Sequence, residues 1–409
     1  MDNGGLSISF VFNLSGKFFF KPKLRIPASP HFDLEKVDKR DLETIIFNMG
    51  MVELISYWKA ACPREVNVIP NKLSDDKVEF WKKLYYHGLG EFYYLNGIDI
   101  SQESAMDIFS KGEPNIPINR NLDNDKVLVP IGGGKDSVVS LELLKNSDFK
   151  IIPLIINPRE ASWRSIENAG FCKEDCIVIY RTIDGELLNL NSKGYLNGHT
   201  PFSAMLAFTS TLAAYLSGAK HIALSNESSA NESTVPGSKI NHQYSKSFEF
   251  EQDFHSYSAK YLLPELNYFS FLRPLNEIRI AELFSGFENH LNSFRSCNVG
   301  SKDDRWCGNC PKCLFTYIIL KPFVHEERLH GIFGKNLLLE TSLTKTLEEL
   351  KGEVDVKPFE CVGTPEEVVA ALNHENNKLA LNKLLSEYNN EHLLDNRFEE
   401  ILKKALNDS

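Results

Sequence analysis

The stretch KVLVPIGGGKDSVVSLELLK, residues 126–145, combines residue types that bind phosphate. Its three successive glycines allow positive φ angles and a close approach of backbone N–H groups to a ligand. Lys135 adds a positive charge and Ser137 a hydroxyl donor, just before an apolar-periodic segment typical of a helix. Because helix N-termini attract anions, the order strand, glycine loop, helix predicts a phosphate site. The alternative is a glycine-rich turn without a ligand.

A second group is formed by cysteines. Cys297, Cys307, Cys310 and Cys313 follow the spacing Cys-x9-Cys-x2-Cys-x2-Cys. Four thiolates suit tetrahedral zinc, and Cys-x2-Cys gives the local knuckle geometry. An iron–sulfur cluster is the alternative, since thiolates bind those as well. Such a site has no open position for a substrate, so we expect structural zinc that fixes a loop near the active site.

Two polar stretches follow elements of the same region. SNESSANES, residues 225–233, comes after the strand-like HIALS and is either a solvated loop or part of a ligand crevice. In the second case its ligand contacts are Asn226, Glu227, Ser228 and Asn231. NGHTPFSA, residues 197–204, opens a helix with Thr200 as the N-cap and Pro201 in the first turn, and it carries His199 as a candidate catalytic residue.

These stretches are embedded in a strand–helix alternation that begins at Lys126. The expected strands are 127–131, 151–156, 177–182 and 222–224, and the expected helices are 136–144 and 203–217. Short apolar strands alternating with helices predict an α/β fold, a parallel sheet with helices on both faces and right-handed crossovers. Ligands bind such sheets at the carboxyl ends of the strands, where the glycine loop is expected.

The pattern divides the 409 residues into four regions. These are a mixed α/β region (1–120), the strand–helix domain with the glycine loop (121–290), the four-cysteine module (291–320) and a mainly helical C-terminal region (321–409). The first region is expected to contain a hairpin with Ser15-Gly16 at its turn and helices at 42–58 and 77–86. The Pro/Asn/Asp-rich segment 112–125 is expected to be a linker.

Composition and charge restrict the kinds of partner that we expect for this protein. The net charge is −10 and no dense Lys/Arg tract occurs, which argues against a nucleic-acid partner. The apolar runs are too short to span a bilayer, and the N-terminus lacks the pattern of a secretory signal. We therefore expect a cytoplasmic protein without a membrane partner.

The glycine loop resembles the PP-loop, Ser-Gly-Gly-x-Asp-Ser, of the N-type ATP pyrophosphatases. The residues that match this pattern are Gly133, Gly134, Lys135, Asp136 and Ser137, whereas Gly132 replaces the first serine. The resemblance implies that the loop holds the pyrophosphate part of ATP while a substrate oxygen attacks the α-phosphate. It also implies Mg²⁺ at the leaving group and Asn157, at the end of the second strand, near the adenine.

The flanking stretches resemble a particular family. YWKAACPREV (57–66), YYHGLGEFYYLNGIDI (85–100), CGNCPKC and KPFECVG (357–363) look like the UDP-N-acetylmuramoyl-L-alanyl-L-glutamate epimerases, the MurL family. The resemblance covers about residues 10–370. The alternative is another adenylating PP-loop enzyme, such as a 7-cyano-7-deazaguanine synthase, which carries a similar cysteine cluster but is shorter. A non-enzymatic ATP-binding scaffold is the third reading, and the intact Lys-Asp-Ser argues against it.

The family resemblance implies an enzyme of peptidoglycan biosynthesis with a defined chemistry. ATP is split to AMP and diphosphate, and the terminal L-glutamate of the UDP-sugar dipeptide becomes D-glutamate. Adenylation removes the carboxylate charge that would oppose loss of the α-proton. Lys135 and Asp136 would serve catalysis as well as binding. The acid and base are not marked in the sequence, and the candidates are Cys361, His199, Glu227, His255 and Glu360. Arg273 is a candidate anion ligand or a structural ion-pair partner.

Overall fold

The structure is a computed structural model that describes residues 5–114, 116–234, 241–242, 244–354 and 356–408. Residues 1–4 lie outside the described residues, and they are part of the N-terminus that lacks the pattern of a secretory signal. Asn115 of the expected linker also lies outside the described residues. The described strands are β1 (Leu6–Ser9), β2 (Phe12–Leu14), β3 (Phe18–Phe20), β4 (Lys23–Ile26), β5 (Glu65–Val68), β6 (Asn71–Lys72), β7 (Asp107–Ser110), β8 (Glu113–Pro114), β9 (Asp123–Pro130), β10 (Lys150–Ile156), β11 (Ile177–Thr182), β12 (Ala219–Leu224) and β13 (Asn267–Ser270).

The helices follow the same chain order. They are α1 (Lys39–Trp58), α2 (Asp75–Gly88), α3 (Gly90–Leu95), α4 (Gln102–Ala105), α5 (Lys135–Leu144), α6 (Glu160–Asn168), α7 (Gly185–Ser192), α8 (Phe202–Ser217), α9 (Phe248–Tyr261), α10 (Glu277–Ser285), α11 (Pro311–Leu320), α12 (Glu326–Phe333), α13 (Thr344–Leu350), α14 (Pro365–Leu372), α15 (Lys378–Ser386) and α16 (Asn396–Asp408). Short 3-10 turns occur between them, among them Ser228–Asn231.

The main sheet has seven strands in the order β1-β4-β11-β10-β9-β12-β13 and is mostly parallel. The predicted α/β class is therefore confirmed. The burial of the strands explains the pairing. β10 is buried almost continuously from Ile152 to Ile155, as in a sheet covered on both sides, whereas β1 and β4 alternate between buried and exposed residues. β4 pairs antiparallel with both β1 and β11.

The chain forms two compact units that are interleaved in sequence. Unit 1 comprises residues 1–128, 177–222 and 239–268, and unit 2 comprises 129–176, 223–238 and 269–409. In unit 1, α1 packs against α8, and an aromatic core includes Trp81 stacked on Phe208 with ring centroids 5.1 Å apart. In unit 2, α10 packs against α5, and α11 packs against α14. The expected division into four consecutive regions, with boundaries near residues 120, 290 and 320, stays a prediction.

The secondary-structure predictions hold closely. The hairpin β2–β3 turns at Ser15 and Gly16, which have φ of 55° and 70°. The predicted helices correspond to α1, α2, α5 and α8, and the strand 177–182 is matched by β11. The region after residue 320 is mainly helical, as expected. Local periodicity was sufficient because each of these elements has its own apolar pattern.

One local prediction, the N-cap of α8, was wrong. The linker at 112–125 stays a prediction, and the segment contains β8 and the start of β9 at Asp123. Ile118 is buried, and its N–H donates to the Leu262 carbonyl at 3.0 Å, so backbone pairing overrides the turn-rich composition. The N-cap of α8 is Pro201 and not Thr200, whose hydroxyl instead accepts a hydrogen bond from Lys59 Nζ at 2.8 Å.

Among the described residues, no helix combines the length and the apolar character that a membrane crossing requires.

A buried ion pair within unit 1 should be important for stability. Arg181 donates to both carboxylate oxygens of Glu53, at 2.7 and 2.9 Å, and the Glu53 side chain is 2% exposed. Glu53→Gln leaves the guanidinium without its counter-charge, so we expect a loss of about 3–5 kcal/mol in the free energy of unfolding. Urea denaturation followed by circular dichroism measures it. Glu43→Gln, in the exposed pair with Lys39, is the control and should leave the midpoint unchanged. Equal midpoints for both variants would contradict the expectation.

Candidate functional site

The glycine loop connects β9 to α5 in unit 2, as the sequence predicted. Gly133 has φ of +88°, and a Cβ placed there would lie 2.8 Å from the backbone of Ala161 and Ser162. A Cβ on Gly132 would meet open space. The positive φ and the close backbone contact therefore require glycine at position 133. At position 132, where the PP-loop pattern has serine, glycine leaves open space beside the loop.

The first turn of α5 is available for an anion. Gly134 is the N-cap, and within the described part of the chain no side chain caps this helix end. The Ser137 hydroxyl donates to the Gly134 carbonyl at 3.0 Å and so tightens the turn. The backbone N–H groups of a helix N-terminus carry partial positive charge, which favours a phosphate at this position.

Lys135 is buried at the start of α5, with a side chain only 4% exposed. Its Nζ donates to Asp136 Oδ1 and to Glu277 Oε2. Burial opposes the ammonium charge, but the two carboxylates outweigh it and hold the pKa of Lys135 above its ordinary value. The lysine is therefore a fixed positive charge at the glycine loop.

Glu277 is the first residue of α10 and joins the loop to the C-terminal motif. Its backbone N–H donates to Glu367 Oε1 at 2.6 Å, and Glu367 Oε2 accepts from the Thr364 N–H at 2.6 Å. Burial, opposed by Lys135 and reinforced by the acidic neighbours, raises the pKa of Glu277 well above its usual range. Burial likewise raises the pKa of Glu367. Both shifts have the direction expected for buried carboxyls in a group that holds more acidic than basic side chains.

The KPFECVG motif lies against this group through Gly363. A Cβ on Gly363 would be 2.4 Å from Glu367 Oε2 and 3.1 Å from Glu277 Cγ, so a larger residue would displace the Glu367 carboxylate from its hydrogen bonds. Cys361, two residues earlier, is half-buried. Glu360 accepts a hydrogen bond from Asn298 Nδ2 at 2.9 Å. The structure thus brings Cys361 into the segment that packs on the partners of Lys135.

The SNESSANES loop also belongs to unit 2. Asn226 donates to Ser270 Oγ at 2.9 Å, and the Ser228 N–H donates to the Leu275 carbonyl at 3.0 Å, so these two residues anchor the loop. Glu227 is buried, and its charge acts on Glu277. Asn231 is exposed at the end of the 3-10 turn. Beyond it, Glu232 forms an ion pair with Lys357 of the KPFECVG motif at 2.6 Å.

Arg273 has a structural role. Its side chain is fully buried, and its Nη1 donates to the Glu227 carbonyl at 2.6 Å. A second hydrogen bond runs from Nη2 to Ser270 Oγ at 3.3 Å, and together these contacts hold the SNESSANES loop in place.

The end of β10 lies beside the glycine loop in unit 2. Asn157 is exposed and has φ of +50°, a left-handed conformation that asparagine tolerates. The chain then enters α6, whose first turn, at Ala161 and Ser162, contacts Gly133. Arg159 donates to Ser301 Oγ in the cysteine module.

The four cysteines converge on one point. The Sγ–Sγ separations are 3.7 Å for Cys297–Cys310, 3.6 Å for Cys307–Cys313 and 3.5 Å for Cys310–Cys313. Four sulfurs bound tetrahedrally at the zinc–sulfur distance would be about 3.8 Å apart. Disulfide sulfurs would be about 2 Å apart. The cluster can therefore bind a single metal ion. In an iron–sulfur cluster the four thiolates are divided among two or four irons, which would spread the sulfurs further.

The cysteine module touches the glycine loop directly. The Arg295 N–H donates to the Gly133 carbonyl at 2.8 Å, and Ser296 Oγ lies 3.0 Å from a Cβ placed on Gly134. Cys297 is the next residue. A metal at the cluster would hold this segment, and with it the backbone of the loop.

His199 lies in unit 1, not among the unit 2 residues of the glycine loop. Its Nδ1 is 3.6 Å from Glu91 Oε2, and Glu91 also bonds His242 Nδ1. Burial, followed by the charges of His242, Lys59 and Lys246, lowers the pKa of His199 to about 3. His255 lies on α9, also in unit 1.

Three residues of the site were not found from the sequence: Glu277, Glu367 and Ser296. Glu367 carried a signal, since TPEE at 364–367 is a capping box in which Thr364 and Glu367 bond reciprocally. Nothing in a single sequence pairs that glutamate with Glu277 or pairs Glu277 with Lys135.

Fold and site together define an α/β protein with a glycine-rich strand–loop–helix, whose uncapped helix end could bind an anion, and an adjoining four-cysteine cluster that could bind a metal ion. Comparison with known families agrees with this class of protein and identifies one family within it. The MurL N-terminal domain matches residues 1–271, and the MurL C-terminal domain matches residues 293–397. The chain belongs to the MurL family.

Similar curated proteins carry one name. A protein of Xanthomonas oryzae pv. oryzae is 33% identical over 85% of this chain and 77% of its own length. Proteins of Salinispora tropica and of a Micromonospora species are each 34% identical over 86% of this chain, and over 76% and 78% of their own lengths. All three are named UDP-N-acetyl-alpha-D-muramoyl-L-alanyl-L-glutamate epimerase. Family membership makes the chain an enzyme of the isomerase class.

Gly133→Ala should disrupt the loop. The added methyl group would overlap the first turn of α6 and would force alanine into a left-handed φ, so we expect a loss of about 1–3 kcal/mol in unfolding free energy. Gly132→Ala is the matched control, because its Cβ meets nothing within 4 Å. Chemical denaturation of both variants measures the effect. A Gly133→Ala protein as stable as the control would show that the backbone there is not constrained.

Cys310→Ser should release the metal. We expect the purified wild-type protein to hold one metal equivalent in the cluster and the variant to hold none, with a lower melting temperature. Elemental analysis and thermal unfolding measure both effects. Cys176→Ser, at a buried cysteine outside the cluster, should keep the metal. Full metal content in Cys310→Ser would contradict a four-thiolate site.

Proposed function

We propose that this enzyme converts the terminal L-glutamate of UDP-N-acetylmuramoyl-L-alanyl-L-glutamate to D-glutamate, in peptidoglycan biosynthesis, through an acyl-adenylate. Support for the substrate comes from the names of the relatives. Support for adenylation comes from one observation above all: a lysine is buried at the N-terminus of α5, in a glycine loop whose sequence resembles the PP-loop.

The first step would use the glycine loop. The backbone of Gly132–Gly134, Lys135 and Ser137 would hold the β- and γ-phosphates of ATP, and Asn157, Asn226 and Ser228 would contact the rest of the nucleotide. The α-carboxylate oxygen of the substrate attacks the α-phosphorus, the bond to the β-phosphate oxygen breaks, and diphosphate leaves. Mg²⁺, held by the phosphates with Asp136 as the protein's available carboxylate, would neutralise the leaving group.

The second step is proton transfer. The acyl-adenylate carries no carboxylate charge, so the α-proton is more acidic and a base can remove it. A proton delivered to the opposite face inverts the centre, and water then attacks the acyl carbon to release AMP. Cys361 is our choice for one proton carrier, because it is half-buried in the segment that packs on Glu277 and Glu367. Glu227, buried in the same unit, is the candidate for the other.

Zinc is the proposed occupant of the cysteine cluster. The four sulfurs match the size of a single tetrahedral ion, and Arg295 and Ser296 connect this centre to the loop. Its role would be structural, with all four positions taken by protein. A lone iron in the same four thiolates would be coloured and would appear as iron in elemental analysis.

The proposal is tested by incubating the enzyme with ATP, Mg²⁺ and the L-glutamyl substrate in D₂O. We expect AMP, D-glutamate after hydrolysis and deuterium at its α-carbon. AMP without inversion would point to another carboxylate, with the deazapurine precursor tested first. No AMP with either carboxylate, from folded protein, would overturn adenylation.

Two variants separate the steps. Lys135→Ala should abolish ATP–diphosphate exchange in the presence of substrate. Cys361→Ala should keep that exchange but lower α-deuterium incorporation by about 10²–10⁴-fold, the usual contribution of a proton-transfer group. Cys172→Ala, at an exposed cysteine, is the control and should keep both activities. Full deuterium incorporation by Cys361→Ala would exclude this cysteine as a proton carrier.

A further inference from the structure

A second group of side chains that could bind a metal ion lies in unit 1, and unlike the cysteine cluster it consists of histidines and a glutamate. It consists of Glu91 in α3, His199 before α8 and His242. One donor atom from each lies within 4.8 Å of the other two. All three side chains are mostly buried, at 12%, 23% and 11% exposure.

We propose that Glu91, His199 and His242 bind a divalent transition-metal ion, of which zinc fits best. Two imidazole nitrogens and one carboxylate oxygen form a donor set that zinc uses in catalytic centres. Hard cations such as Mg²⁺ prefer oxygen ligands alone, so the two histidines argue against them.

The distances suit a shared ion. Ligand atoms bound tetrahedrally at about 2.0–2.1 Å from zinc are about 3.3 Å apart. Glu91 Oε2 and His199 Nδ1 are 3.6 Å apart, and the two imidazole rings have centroids 4.4 Å apart. The hydrogen bond between Glu91 and His242 would be exchanged for two metal bonds.

The surroundings fix the ligands. Lys59 donates to the Gly198 carbonyl and to Thr200 Oγ1, the residues on either side of His199. Its ammonium thus holds the loop from both sides of the histidine. Preorganised ligands of this kind lower the cost of metal binding.

Three protein ligands leave at least one coordination position open. That position would take water or an oxygen of a bound phosphate or carboxylate, so the centre differs in kind from the closed four-thiolate site. This site would exist whether or not the chain has the proposed epimerase activity.

The test is the zinc stoichiometry of the full-length protein at micromolar free Zn²⁺, measured by equilibrium dialysis and elemental analysis. We expect two equivalents for the wild type and one for His242→Ala. Losing an outer-shell partner costs about 10–100-fold in metal affinity, so losing a ligand should weaken the second zinc by at least about 100-fold. Glu91→Gln keeps the side-chain shape and should also reduce the second equivalent.

His255→Ala is the matched control, because this half-buried histidine lies in unit 1 but outside the group, and it should keep two equivalents. Cobalt offers a second readout: the second equivalent should add visible absorption without a thiolate charge-transfer band. One zinc per wild-type chain, or a second equivalent that survives in both His242→Ala and Glu91→Gln, would overturn the site. The three side chains would then be a hydrogen-bonded group without a metal.

Discussion

The burial of one ammonium group is the constraint on which the candidate site depends. Lys135 has almost no contact with solvent, and a buried charge is tolerated only when carboxylates surround it. Asp136 is its chain neighbour, but Glu277 comes from another helix. Glu277 in turn is held by Glu367, which packs under Gly363. A charge placed at the glycine loop therefore fixes the position of α10 and of the C-terminal motif.

This chain of contacts gives the KPFECVG segment a physical meaning. The segment lies far from the loop in sequence, yet its Gly363 packs against Glu277, which bonds Lys135, and against Glu367, which bonds Glu277. Lys357 connects the same segment to the end of the SNESSANES stretch through its ion pair with Glu232. The cysteine module contacts the glycine loop separately, since the Arg295 N–H donates to the Gly133 carbonyl just before Cys297. The glycine loop is thus held through Lys135 and through Gly133, which would limit its rearrangement when a ligand binds.

Local patterns in the sequence predicted the helices and strands well. They could not predict which residues far apart in the chain come into contact. β11 and α5 were found because apolar periodicity and glycine punctuation are local. The glycine loop and the cysteine cluster were found because their residues are close together in the chain. Glu277 and Glu367 were missed because a glutamate at a helix start usually faces solvent, and only the fold places Glu277 beside Lys135 and Glu367 beside Glu277. The contact of Ile118 with Leu262 in the segment 112–125 likewise joins residues that lie far apart in the chain.

His199 is a second case in which local patterns did not reveal the partners of a residue. It was chosen as a catalytic candidate from its position before a helix, and the structure gives it two partners, Glu91 and His242, that no spacing rule connects. Its surroundings support metal ligation in unit 1, whereas the unit 2 candidates for proton transfer are Cys361 and Glu227.

The central claim is that a substrate carboxylate oxygen attacks the α-phosphate of ATP at the glycine loop. The most direct measurement uses substrate with ¹⁸O in both oxygens of the glutamate α-carboxylate, followed by mass spectrometry of the AMP. Acyl-adenylate formation predicts one ¹⁸O in each AMP and one oxygen from water in the D-glutamyl product. AMP without ¹⁸O, formed together with D-glutamate, would contradict the claim.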